Sequence, residues 1–145
     1  MSEGFTQEAP NYWKQLPAGF SGAKLLVELP DSSTAEPDWQ LVAEFEAFVL
    51  RNGPALRTRV HEPLKMLATQ TGWFTADEVA TAFFEWSEVV LLYEATALAA
   101  KRGAGMVYEL QFAMESYGAA WVDTYGSWVA AFQGLALVGL RRENR

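Results

Sequence analysis

Residues 105–142 read GMVYELQFAMESYGAAWVDTYGSWVAAFQGLALVGLRR. Met106, Tyr108, Leu110, Phe112 and Met114 alternate with Val107, Glu109, Gln111, Ala113 and Glu115. A period of two places one set on a buried face and the other on an open face of a strand. Ser116-Tyr117-Gly118 reads as a turn, and Trp121 with Asp123 as a short strand. Tyr125-Gly126 reads as a turn or bulge, after which Trp128, Ala130 and Phe132 resume the alternation. Gln133-Gly134 is expected to turn a tight hairpin into a last strand, Leu135–Leu140, followed by a basic tail, residues 141–145. On the N-terminal side, Glu88–Leu98 is expected to be one strand with Val89, Leu91 and Tyr93 on one face. The loop Lys101–Gly105 then closes a hairpin.

Upstream, the period lengthens. Trp39, Val42, Ala43, Glu46, Val49 and Leu50 recur at helical spacing, as do Leu41, Phe45 and Phe48. Ser33 or Thr34 is expected to cap this helix, with Pro37 in its first turn, where a missing N–H costs nothing. Asn52-Gly53-Pro54 is expected to end it and start a second helix, 54–69, kinked at Pro63. Thr75-Ala76-Asp77-Glu78 has the S/T-x-x-E capping-box pattern and opens a third helix, expected to reach about Glu85 with Val79, Phe83 and Trp86 buried. Lys24–Leu29 (KLLVEL) is a short strand candidate. The order predicts an α+β fold: an antiparallel β-meander of four to five strands with two to three helices packed on one face. Residues 23–142 are expected to form a single α+β domain, and 1–22 a loosely ordered segment.

Composition narrows the function. Half of the 145 residues are hydrophobic and 14% are aromatic, ample for one core. The net charge of -7 argues against nucleic acid or an anionic membrane as partner, since both attract positive charge. There is no cysteine, which removes disulfides, thiolate catalysis and Cys-based zinc sites. The single histidine, His61, cannot build a multi-histidine metal site. Gly103-Ala104-Gly105 lacks the third glycine and following helix of a nucleotide fingerprint. No secretory signal and no run of 18 apolar residues is read, so the expected location is the cytoplasm.

Charge concentrates in the C-terminal half. Between Gly72 and Leu135 stand Asp77, Glu78, Glu85, Glu88, Glu94, Glu109, Glu115 and Asp123, against Lys101 and Arg102 alone. Glu109 and Glu115 project from one strand to the same side, and Glu88 and Glu94 are expected to share a face of the strand before it. Such a face suits docking of a basic protein partner, because complementary charge speeds encounter. The plain alternative is a solvated sheet face. Trp121, Tyr125, Trp128 and Phe132 form an aromatic set. Trp121 and Trp128 are expected to fill the core, and Tyr125, beside Gly126, is expected to be exposed. The partner-binding candidates are therefore Glu88, Glu94, Glu109, Glu115, Asp123 and Tyr125.

Catalysis has thinner support. Glu94 with Glu109, or Glu115 with Asp123, would have to meet across strands to act as an acid–base pair. No D-x-D-x-D-G loop offers a calcium site, and His61 lacks a sequence-evident nucleophile. No catalytic residue, metal or cofactor is expected.

The layout from Pro37 to Leu140 resembles small bacterial proteins of unassigned activity, several of them encoded among polymorphic-toxin immunity genes. The resemblance rests on Trp121, Asp123, Tyr125, Gly126, Val129, Phe132 and Gly134, with Val138-Gly139 after them. Tyr125-Gly126 stands where that pattern has His-Gly. The resemblance implies a non-enzymatic inhibitor that neutralises a cognate toxin by binding it. The alternative reading is a small-ligand-binding or regulatory domain with a pocket between helices and sheet.

Overall fold

The computed structural model describes residues 4–116 and 121–144. Seven strands form one sheet in chain order: β1 (Thr6–Glu8), β2 (Asn11–Gln15), β3 (Lys24–Glu28), β4 (Ala82–Leu92), β5 (Val107–Ser116), β6 (Gly126–Gln133) and β7 (Ala136–Asn144). Neighbours are antiparallel except β3 and β4, which are parallel. The helices are α1 (Trp39–Thr71), α2 (Ala76–Ala80) and α3 (Tyr93–Lys101). The fold is α+β, as expected, with more strands than the four to five read from the sequence.

The alternation in β5 is realised residue by residue. Tyr108, Leu110, Phe112 and Met114 are buried, while Val107, Glu109, Gln111 and Ala113 are half-buried on the other face. Trp86, Val89 and Leu91 of β4 and Trp128, Ala130 and Phe132 of β6 stand opposite the buried set and complete the core face. Helix α1 lies on that face. Its Val42, Phe45, Val49, Leu56, Val60 and Leu64 join the same core, and the Phe45 ring sits 5.2 Å from Tyr108.

The expected helix pair is one helix of 33 residues. Gly53 and Pro54 do not break it, because the buried stripe keeps its phase through them: Phe45, Val49, Gly53, Leu56, Val60, Leu64. Each large side chain in that stripe contributes about 1.5–3 kcal/mol on burial, so together they outweigh about 3 kcal/mol for each interior proline. Gly53 serves packing rather than termination. A Cβ there would lie 2.7 Å from the Phe20 ring. The N-cap is Asp38 rather than Ser33 or Thr34; its carboxylate accepts from the N–H groups of Gln40 and Leu41. Gly72, at φ 71°, closes the helix. The capping box forms as read: Glu78 N–H donates to Thr75 Oγ1 and Thr75 N–H to Glu78 Oε1. The helix it opens stops at Ala80, and Phe83 and Trp86 belong to β4.

Four further expectations are corrected. Residues 6–15 are two strands rather than a loose segment, because Phe5, Tyr12, Leu16 and Phe20 are apolar enough to join the core. Residues 93–98 are not strand: β4 ends at Leu92, and the alanine-rich run YEATALAAK turns into α3. Residues 121–124 form no strand, only an isolated bridge between Val122 and Glu115. The expected basic tail is the end of β7, up to Asn144. Tyr117 and Gly118 of the expected turn lie outside the described residues.

Candidate partner-binding surface

The open sheet face, opposite α1, carries Glu88, Glu109 and Glu115, as read from the sequence. Part of its charge is met from within. Arg141 of β7 reaches across β6 and grips Glu109 with both guanidinium ends, at 2.7 and 3.0 Å. Arg141 also binds Glu143, and these carboxylates push its pKa up. Glu88 stands opposite Lys24. Burial raises the Glu88 pKa, Lys24 opposes that rise and Glu28 adds to it. Glu115 stands opposite Phe83. Of the three glutamates on this face, Glu109 is ion-paired, Glu88 is half-buried opposite Lys24, and Glu115 stands against an aromatic ring.

Asp123 is not a surface residue. It is 7% exposed and accepts from Arg142 at both oxygens, 2.9 Å each, and from Trp128 Nε1 at 2.9 Å. Burial by itself would raise its pKa, but the Arg142 and Trp128 hydrogen bonds, with the Arg142 charge and the Tyr125 N–H, hold the carboxyl below its usual range. Arg142 is in turn sandwiched between Trp73, 4.5 Å from its ring, and Trp128, 5.7 Å away. Trp121 stacks on Phe74 at 5.6 Å. A buried charge is tolerable because both partners fill each other's hydrogen-bonding capacity. Around this frame Trp73, Val122 and Tyr125 are exposed, Tyr125 by 78%. Tyr125 is thus where the sequence placed it, and Trp128 is core, as expected.

Glu94 leaves the sheet altogether. It lies on α3, does not share a face with Glu88, and lines an apolar groove of about 400 Å³ between α3 and the ends of β3 and β4. Leu29, Pro30, Leu92, Tyr93 and Leu98 form its walls and Glu28 stands at its rim. A second hollow of about 200 Å³ adjoins it and shares Leu29, Pro30, Tyr93 and Glu94. The Tyr93 hydroxyl accepts from the Asp38 N–H at 2.7 Å, which ties α3 to the start of α1 and fixes the wall. Among the described residues, no lysine or arginine lies within 4 Å of Glu28, Asp31 or Glu94. A signal for this was present in the sequence: from Leu25 to Leu50 there are six acids, Glu28, Asp31, Glu36, Asp38, Glu44 and Glu46, and no base.

The proposed carboxylate pairs do not assemble. Glu94 is on a helix, and Asp123 turns toward Trp128, on the face opposite Glu115. His61 packs edge-on to Phe84 at 6.0 Å, on a groove of about 570 Å³ between α1 and β4 that Arg57, Phe83 and Trp86 also line. Among the described residues no three His, Asp or Glu side chains group as metal ligands, and no helix is long and apolar enough to cross a membrane. No protein family, no curated protein and no solved structure matches this chain.

Proposed function

We propose that this chain is a protein-binding protein, an immunity-type inhibitor that works in the cytoplasm by holding a basic partner, a cognate bacterial toxin. One observation carries the reading: Glu109 and Asp123 are answered by Arg141 and Arg142, whereas Glu28 and Glu94 line an apolar groove and, among the described residues, form no ion pair with a lysine or arginine. Charge left unanswered beside exposed apolar surface is what a complementary partner would cover. The aromatic patch of Trp73, Val122 and Tyr125 is a second contact of suitable composition, since Trp and Tyr dominate binding hot spots.

The test is binding to the product of a toxin-like reading frame adjacent to this gene. A stoichiometric complex that weakens steeply with added salt is expected. Absence of any complex with that product, or affinity indifferent to salt, defeats the reading. A second reading, a small-ligand domain, draws on the groove between α1 and β4. Stabilisation by a small aromatic acid that disappears in His61→Ala would favour it.

A further inference from the structure

We infer that the groove along α3 is built for one kind of occupant: a cationic amphipathic segment with two apolar side chains separated by a lysine or arginine. This rests on the proposed reading and names the part of the partner that is recognised. The two adjoining hollows share Leu29, Pro30, Tyr93 and Glu94, so Glu94 lines both. An apolar side chain in each hollow brings the residue between them against Glu94. Glu28 lies on the rim of the larger hollow, and Leu98, 54% exposed, forms its outer lip. Removing Leu98 from water rewards an apolar group there, while the two carboxylates select against an acidic or neutral neighbour. On a helical segment, residues three or four apart share one face, so a basic residue one turn from each of two apolar ones projects to the same side as both. The walls need no rearrangement to form, because the Asp38–Tyr93 hydrogen bond already holds them.

The experiment titrates the whole, isotope-labelled chain with a synthetic amphipathic peptide carrying two leucines and a central lysine, at low and high salt. Amide shifts confined to residues 28–36 and 92–98 are expected. The affinity should fall by about tenfold or more in Glu28→Lys/Glu94→Lys and in Leu98→Asp. A peptide with glutamate in place of lysine should not bind. All of these side chains are exposed, so the variants keep the fold. Shifts at the Trp73–Tyr125 end, or an affinity indifferent to both variants, overturn the inference. So does spermidine if it competes fully with the peptide, because a small cation then suffices. If the adjacent gene product binds in a salt-dependent way but the peptide leaves α3 undisturbed, the groove assignment falls and the broader reading stands. If neither binds, both fall.

Discussion

At the Ala82 end of β4, both carboxylate oxygens of Asp123 accept from a buried arginine; at the Leu92 end, Glu28 and Glu94 face solvent and, among the described residues, pair with no cation. The residues are chemically alike and their work is opposite. Where an acid is desolvated, it must be paired, and here the pair ties the loop before β6 to β7. Where it stays hydrated, it contributes little to folding and remains available to something outside. A net charge of -7 therefore says little about binding until each acid has been asked whether its own chain neutralises it.

The contrast breaks most easily at Asp123. Asp123→Ala leaves Arg142 buried, its side chain 9% exposed, without a counter-charge, and should cost about 3–5 kcal/mol in urea unfolding at neutral pH. Because the folded carboxyl titrates below its unfolded value, this stability is present above the unfolded pKa and is lost as pH falls through the depressed one. The difference between wild type and variant should therefore narrow below about pH 4. A variant as stable as the parent would dissolve the contrast. The opposite end should respond in binding alone: Glu28→Lys/Glu94→Lys should lose about 1.4 kcal/mol or more of affinity for the basic partner, a tenfold change, with an unaltered unfolding midpoint. An equal loss of stability would show that those acids hold the fold after all.

Two smaller effects sharpen the middle ground. A double-mutant cycle on Glu109 and Arg141 should return about 0.2–1 kcal/mol, since that pair is partly solvated. Glu88→Gln should stabilise by about 0.5 kcal/mol or less at neutral pH. Burial raises the Glu88 pKa, so the folded state favours its protonated form; the penalty for ionisation exists above the raised value and fades as pH falls. The gain from glutamine should accordingly vanish under mildly acidic conditions, which thermal melts across pH would show.

The period-two patterns of β5 and β6 and the capping box at Thr75 were legible because each is set by neighbours in sequence. What escaped depends on contacts made at a distance. Gly53-Pro54 carries the local signature of a helix end, and only the ring of Phe20, from another part of the chain, shows why glycine is there. Tyr93–Lys101 begins with the apolar residues of a strand, and its alanines decide for helix. At the site, Tyr125 was visible as an exposed turn aromatic. The internal pairing of Asp123 and Glu109 escapes a sequence reading because their arginines sit in what reads as a basic tail but is the edge strand β7.

The succession of strands in chain order has a kinetic consequence. Five of the six strand pairings join across a short connection or a single small helix, whereas β3 can reach β4 only after α1 and α2 have been spanned. Loop closure is costly for such a join, so it is the natural late step of folding, when an N-terminal three-stranded unit docks onto a C-terminal four-stranded one. The parallel ladder between Lys24–Glu28 and Glu88–Leu92 is the seam between those units, and Leu29, Pro30 and Leu92 lie where it ends. Whatever sits on those residues touches both halves at once and slows their separation.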